Sequence, residues 1–430
     1  MKRVAVIGGG IAGIAAALTA ARGGAEVALH EANLRLGGRL KSFTDSKTGW
    51  TFNIGEHLVT AGYTSTLELL DWLGAKDAVE IQDNLEIPFY VPQKGRHVFK
   101  ASRRKAPYNL LSAIWNFDLL PFAAKIRLII HSRRLLKEDN RDFIQKFRGA
   151  VDFENAEVKY FWTPFIISAM NALPAEADWM TAGKALQEGF LQPGGLGFFK
   201  RPLSEVFDTN ASKAVLQAGI KVHLRPFIGT ARWENNKLIS LDEDIGRKIL
   251  ADYYIFALPP EALNKAFAGN TSVLGHSLSG FSYSPICGVH LVFKHKIFPG
   301  RFGCLPDSLP QWFFEAGWNK MGAEGQGYSL VISAADKFIS PETDVVSVCL
   351  QDLGRCGADF KESDLLFSKR IWSKMATVKL TPEFAARRPK MRTSLSNVFL
   401  AGDWIDTGLP ATIESAVRSG MAAGKAVFET

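Results

Sequence analysis

The residues best suited to chemistry stand near the start of the sequence, where Gly8-Gly9-Gly10-Ile11-Ala12-Gly13 is followed by Glu31-Ala32. Glycines at this spacing suit a pyrophosphate. Gly8 permits a tight turn, Gly10 lets backbone amides approach phosphate oxygens with no Cβ between, and Gly13 allows a helix to pack close to a strand. A carboxylate about 20 residues further on can bind both ribose hydroxyls of an adenosine. Three more groups invite a role: Arg35, Gly37, Gly38 and Arg39; Glu56-His57; and the segment carrying Gly402-Asp403, Asp406 and Ala411-Thr412-Ile413.

These residues need elements to hold them. Arg-Val-Ala-Val-Ile at 3–7 reads as a buried strand, 11–22 as an alanine-rich helix, and 26–30 as a second strand ending at Glu31. The glycines are then the strand-to-helix turn of a βαβ unit, with the helix N-terminus facing the phosphates. Far along the chain, Asn397 to Asp403 reads as a strand ending in Ala-Gly-Asp, and a helix begins behind it after Pro410. That helix N-terminus can stabilise negative charge on a flavin ring, and Asp403 can accept hydrogen bonds from a ribityl chain. Halves this far apart bracket a long dinucleotide, FAD. Strands are also expected over 218–225, 228–233 and 251–260, with the nucleotide unit, and over 288–293 and 328–333. Residues 81–205 read as helical and aromatic. Pro193-Gly-Gly-Leu-Gly197 lacks a preceding strand, so no separate NADPH unit is expected.

At 430 residues, 47% hydrophobic and 22% charged, the chain suits a globular protein of two domains. Its four scattered cysteines include no Cys-x-x-Cys pair and no histidine at ligand spacing, so neither a disulfide scaffold nor a metal site is expected. The charge-free run 4–21 is broken by glycines, which argues against a signal peptide. The net charge of +8 is concentrated: residues 94–137 hold eleven Lys or Arg against Asp118 alone. Interleaved aromatics suit an interfacial helix near anionic lipid better than a nucleic-acid groove; a solvated face over an ordinary core helix is the other reading.

The run Asn33 to Leu40 resembles the flavin-binding extension of the amine oxidase and phytoene desaturase superfamily. The resemblance implies that Gly37 and Gly38 pass close to the flavin, that Arg35 and Arg39 meet the pyrophosphate side, and that Ile228 gives adenine a backbone contact. Nearly the whole chain is similar to the bacterial hydroxysqualene dehydroxylases, or squalene-associated FAD-dependent desaturases. Four segments carry the similarity: Asn53-Ile-Gly-Glu-His57 with Gly62-Tyr63; Phe161-Trp-Thr-Pro-Phe165 to Pro174; Arg201 to Phe207; and Ala401-Gly-Asp-Trp to Glu414. Glu56 departs from that branch, which usually shows glutamine there.

The resemblance implies an α/β fold: a two-dinucleotide-type, Rossmann-like FAD-binding domain (1–80, 206–260, 391–430) with a discontinuous α+β substrate domain (81–205, 261–390). It implies an isoprenoid lipid substrate, hydroxysqualene, reduced to squalene for hopanoid synthesis. Losing an allylic hydroxyl needs a proton donor and surroundings that tolerate a delocalised cation. His57, Glu56 and Asp406 are the candidate donors, each also readable as a satisfied polar residue. Tyr63, Phe161, Trp162, Phe165 and Trp404 are candidate walls. Glu414 is read as a cap or brace. A lipid substrate leads to an expected cytoplasmic location, peripherally attached to the inner face of the cytoplasmic membrane. The electron donor is left open. Competing readings are a carotenoid-type desaturase, an amine oxidase, and a flavin-free prenyl-binding escort protein.

Overall fold

Five parallel strands carry the glycine turn. The computed structural model describes residues 1–137, 152, 154–225, 228–243, 246–319, 322 and 324–429. In it the strands lie in the order Lys221–Leu224, Glu26–Glu31, Arg3–Ile7, Tyr253–Phe256 and Val398–Leu400. Alternate residues point to opposite faces, and both faces are covered. Val4, Val6, Leu29, Ile255 and Phe399 enter one core with helix Ile11–Arg22. Ala5, Ile7, Tyr254, Phe256, Val398 and Leu400 enter the other. Each such side chain contributes about 1.5–3 kcal/mol when fully buried, so continuous apolar runs read as central strands.

Helix Ile11–Arg22 lies along helix Ile413–Ala426, and glycines set their closeness. A Cβ on Gly420 would sit 2.1 Å from the Ala12 carbonyl oxygen, and one on Gly424 2.7 Å from that of Ala16. The helix behind the first glycine turn is thereby locked to the helix behind Asp403.

A seven-stranded sheet stands apart from the first, in the order Leu365–Val378, Tyr283–Phe293, Gln326–Ser333, Trp312–Glu315, Phe302–Cys304, Glu86–Val91 and Gly95–Lys100. Its pairs are antiparallel except for Phe302–Cys304 against Glu86–Val91. Helices Tyr108–Asn116, Phe122–Leu135, Thr163–Met170 and Trp179–Phe190 share a core with its Glu86 strand. Two small sheets tie the large ones together. Trp50–Asn53 pairs with Ser42–Thr44 on one side and Trp318–Asn319 on the other, while Leu196–Phe199 pairs with Leu58–Thr60 and Val79–Ile81. Glu56 and His57 occupy the short link between the two.

Several expected elements shift. Residues 81–205 are not only helical, because Glu86–Val91, Gly95–Lys100 and Leu196–Phe199 are strands. Ile87, Phe89 and Val91 alternate at period two, and left-handed Gln93 and Gly95 turn the hairpin. The strand expected over 218–225 covers only Lys221–Leu224, since Ala218 caps a helix and left-handed Gly219 follows it. The strand expected over 251–260 is Tyr253–Phe256, and Pro260 opens a new helix. Among the described residues no helix is long and apolar enough to cross a membrane.

Candidate active site

The glycine turn is built by exclusion. At Gly8 the chain takes φ +109°, and a Cβ there would meet the Ala257 carbonyl oxygen at 2.3 Å; on Gly13 it would lie 1.8 Å from the Gly8 oxygen. Gly10 differs, having open space to 3.8 Å, where Gly38 Cα stands. The helix after Gly10 has no side-chain cap, so the amides of its first turn remain available to an anion. Gly37 N–H donates to the Gly9 carbonyl at 2.9 Å, which sets the second glycine segment against the first. These residues fit a dinucleotide pyrophosphate on physical grounds: bare backbone, unpaired amides and no Cβ in the way.

Glu31 is buried and already engaged. It accepts from Gly9 N–H at 2.7 Å and from Asn33 N–H at 2.8 Å, as well as from the Asn33 side chain. A carboxylate has about four lone-pair directions, so ribose hydroxyls can share it. Ala32 is exposed beside it, and Ile228, half-buried, faces Glu243 across its hairpin. Arg35 is exposed, with Asp208 4.0 Å away.

Arg39 joins the two motif ends: its Nη2 donates to Asp403 Oδ1 at 2.6 Å, and Nη1 donates to the Ala376 carbonyl. The Asp403 charge holds the Arg39 guanidinium above its ordinary range. Gly402 takes φ +148°, its N–H donating to Ser419 Oγ at 2.8 Å. Thr412 caps helix Ile413–Ala426 by accepting from Ser415 N–H, so the helix begins at Ile413 rather than directly after Pro410; Ala411 precedes the cap. The sequence reading missed Arg388, which is buried and donates to the carbonyls of Trp404, Leu409 and Asp403. Burial brings its guanidinium down to about 10, with Asp406 and Asp403 opposing. Three carbonyls on one fork fix the whole 403–409 loop.

Glu56 and His57 line one cavity with Leu58, Phe198, Phe199, Arg301, Phe314, Glu315, Ala316 and Trp318. Their link leaves the Arg39 segment directly, since Ile54 N–H donates to the Lys41 carbonyl at 2.9 Å. Glu56 Oε2 accepts from Asn53 Nδ2 at 3.3 Å, whereas Oε1 is shut from solvent with no hydrogen-bond partner. Burial pushes the carboxyl up to about 7, against smaller pulls from Asn53 and Ser329. His57 goes the other way. Its Nδ1 lies 2.8 Å from the Gly55 carbonyl, which can only accept, so Nδ1 carries the proton and Nε2 is left as an acceptor. Burial, then the nearby Arg39 charge, lower its pKa despite that bond. Ser329 hydrogen-bonds His290 Nδ1 at 3.0 Å, placing a second buried imidazole behind the Glu56 neighbourhood.

The remaining predicted residues lie elsewhere. Asp406 is exposed in the loop after Trp404, where its carboxylate accepts from Gly408 N–H, and it does not line the Glu56 cavity. Tyr63 caps helix Thr64–Trp72 beside Thr412, and burial raises its hydroxyl to about 12. Phe161, Trp162 and Phe165 are buried and pack edge-on among Trp179 and Phe190. Trp404 is buried against Phe281, its indole N–H donating to the Leu258 carbonyl. Glu414 braces a different helix from its own: fully buried, it accepts from Ser65 N–H, Thr66 N–H and Thr66 Oγ1 at the start of Thr64–Trp72. Arg418 couples it to Glu188.

Against known families, the model described as flavin containing amine oxidoreductase matches residues 11–427, from the first helix past the last strand. The chain belongs to that family. It is a flavin-dependent oxidoreductase with the mixed α/β fold of the amine oxidase superfamily. The hydroxysqualene dehydroxylase of Sinorhizobium fredii is 27% identical, covering 100% of this chain and 99% of its own. That of Zymomonas mobilis is 26% identical, with 97% of each covered. A solved oxidoreductase from Methanosarcina mazei superimposes with a TM-score of 0.71 over 100% of both chains at 16% identity, a likeness of fold.

Proposed function

We propose that this oxidoreductase binds FAD and removes the allylic hydroxyl of hydroxysqualene, giving squalene. The observation that carries the reading is the Glu56 carboxyl, a donor this chain holds where the dehydroxylase branch usually shows glutamine: burial raises it to about 7, one oxygen lacks a hydrogen-bond partner, and the residue lines a cavity with Phe198, Phe199, Phe314 and Trp318. A carboxyl with a pKa of about 7 remains substantially protonated at neutral pH and can give its proton to a departing hydroxyl. His57 cannot fill that part while its ring is neutral and its one N–H is given to Gly55. The aromatic walls suit a hydrocarbon and a developing cation. Full-length relatives named for this reaction support the choice over the oxidative desaturases.

FAD, when bound and reduced, supplies the two electrons that replace the carbon–oxygen bond with a carbon–hydrogen bond. In this reading Gly8, Gly10 and Gly13 and the amides of Ile11 and Ala12 hold the pyrophosphate. Glu31 holds the ribose and Ile228 the adenine edge, while Gly37, Gly38, Arg39, Gly402, Asp403 and the helix start at Thr412-Ile413 surround the rest. The division into an FAD domain (1–80, 206–260, 391–430) and a substrate domain (81–205, 261–390) belongs to the proposal. It is supported by the parallel sheet drawing every strand from the first set and the seven-stranded sheet every strand from the second.

Peripheral attachment to the inner face of the cytoplasmic membrane completes the proposal. Tyr108, Trp115, Phe122, Ile126 and Ile130 are exposed on two consecutive helices, while Leu110, Ile114 and Leu128 face the core. Phe122, Ile126 and Ile130 form one stripe at four-residue spacing, flanked by exposed Arg103, Arg104, Lys105 and Arg133.

The test is anaerobic. Protein reduced with dithionite and mixed with hydroxysqualene is expected to regain oxidised flavin absorbance while squalene appears in the extract. Flavin that stays reduced, with no squalene, would transfer the assignment to an oxidative desaturase.

A further inference from the structure

His30 and His223 have no part in the proposed chemistry, yet the fold brings them face to face. They are direct partners on neighbouring parallel strands, with ring centroids 4.6 Å apart and planes 9° from parallel. Glu243, at the end of strand Lys237–Glu243, reaches the same spot with Oε1 3.6 Å from His30 Nδ1. One ligand atom from each residue falls within 4.8 Å of the other two. His30 is 5% exposed, and its Nδ1 has no hydrogen-bond partner. A buried imidazole nitrogen left unsatisfied is costly, so something that accepts its lone pair would be stabilising.

We propose that His30, His223 and Glu243 form a binding site for a divalent transition-metal ion of the zinc, nickel and copper type. Two imidazoles and a carboxylate are a borderline N2O donor set, which such ions favour over magnesium or calcium. Ligand atoms around a tetrahedral zinc stand about 3.3 Å apart, given metal–ligand bonds of about 2.0–2.1 Å, and the His30–Glu243 pair is already close to that. The His223 ring is exposed, and a histidine χ2 well is broad, so its nitrogen can turn toward the shared centre without moving backbone. Burial brings His30 down to about 4, which keeps its lone pair unprotonated at neutral pH. Glu243 divides its oxygens: Oε2 lies 3.8 Å from Arg247 Nε, leaving Oε1 for the centre. The exposed side leaves a fourth position to water.

The place gives occupancy a consequence. The His30 carbonyl accepts from Gly8 N–H at 2.8 Å, and Glu31 follows it, so His30 belongs to the strand end that supports the glycine turn. Glu243 belongs to the hairpin that also carries Ile228. An ion would clip that hairpin to the edge of the parallel sheet.

The experiment uses flavin-loaded protein treated with chelator and dialysed, then titrated calorimetrically with Zn2+ and, separately, loaded with one equivalent of Cu2+ for electron paramagnetic resonance. The expected result is one ion per chain with a roughly micromolar Kd, about 8 kcal/mol, and a Cu2+ spectrum split by two nitrogens. His223→Ala, a change at an exposed ring, should weaken Zn2+ binding at least about tenfold and reduce the splitting to one nitrogen. His30→Gln should do the same if it folds, while His295→Ala, in the bend after strand Tyr283–Phe293, should change neither readout. Absence of stoichiometric binding, a two-nitrogen spectrum surviving in His223→Ala, or equal loss in His295→Ala would overturn the site.

Discussion

The glycine turn and the Glu56 cavity are joined through the same short stretch, Gly37 to Lys41, but they are made of different materials. The turn is backbone, shaped by side chains that are missing: at Gly8 and Gly13 backbone oxygens fill the space a Cβ would take, and at Gly10 the space is left open. The cavity is side chain, shaped by burial that drives Glu56 up and His57 down in neighbouring positions. A site of the first kind binds by shape and tolerates little steric change. One of the second kind acts through protonation, and tolerates shape-conserving substitutions that abolish its chemistry.

Glu56→Gln separates the two most sharply. It keeps the shape, so flavin colour should be retained, while removal of the proton donor should lower kcat by about 10²–10³. Turnover in the unaltered protein should fall as pH rises through about 7, the value to which burial pushes Glu56, and that limb should vanish in the variant. Stability should fall over the same pH range. A carboxyl raised from 4.5 to about 7 stabilises the fold below its unfolded value and loses that contribution as pH climbs through 7. The uncharged amide should therefore unfold at higher temperature than the parent at pH 8, by up to about 2–3 kcal/mol of stability. An active Glu56→Gln would remove Glu56 from the mechanism.

Gly13→Val tests the other region. Its Cβ would meet the Gly8 carbonyl oxygen at 1.8 Å, so the turn must open. A cost of about 3 kcal/mol corresponds to roughly a hundredfold loss of FAD affinity, read as a colourless preparation or a weakened flavin titration. Arg39→Ala, which breaks the ion pair with Asp403, should have a smaller effect, about tenfold on FAD retention, because that guanidinium is half exposed. Glu414→Gln should leave colour and chemistry in place while lowering stability by about 1–2 kcal/mol in thermal unfolding, since the amide still fills the space but no longer presents a charge to the amides of Ser65 and Thr66.

The same contrast explains what could be read from the chain alone. Gly8 to Glu31 was legible because strand, turn, helix and strand follow one another, and local spacing forces the geometry. Asp403 was legible for the same reason, though nothing local announced its bond to Arg39. The cavity was half legible: Glu56 and His57 stood out as residue types, but their opposite protonation depends on Gly55 geometry and on walls from residues 198–199 and 314–318. Asp406 looked equivalent to them and lies outside that cavity. Arg388 was invisible, because a lone arginine gives no sign of the three carbonyls it will hold. The Glu86–Val91 and Gly95–Lys100 hairpin hides inside a stretch, 81–205, whose apolar periodicity is helical, because its own alternation covers too few residues to compete. His30, His223 and Glu243 have no common local spacing at all; only the parallel sheet order makes them neighbours.

The interlock of helix Ile11–Arg22 with helix Ile413–Ala426 has a consequence for synthesis. The nascent chain makes its glycine turn first, but the strand and helix that cover that unit, Val398–Leu400 and Ile413–Ala426, follow only after about 390 further residues have been made. Arg39 likewise waits for a partner 364 positions away. Until then the side of the first helix that helix Ile413–Ala426 covers has nothing to pack against, and a ribosome-bound fragment should engage holding chaperones. Flavin capture should therefore be a post-translational event, so that a cell short of flavin would accumulate a completed but loosely closed polypeptide rather than a stalled one.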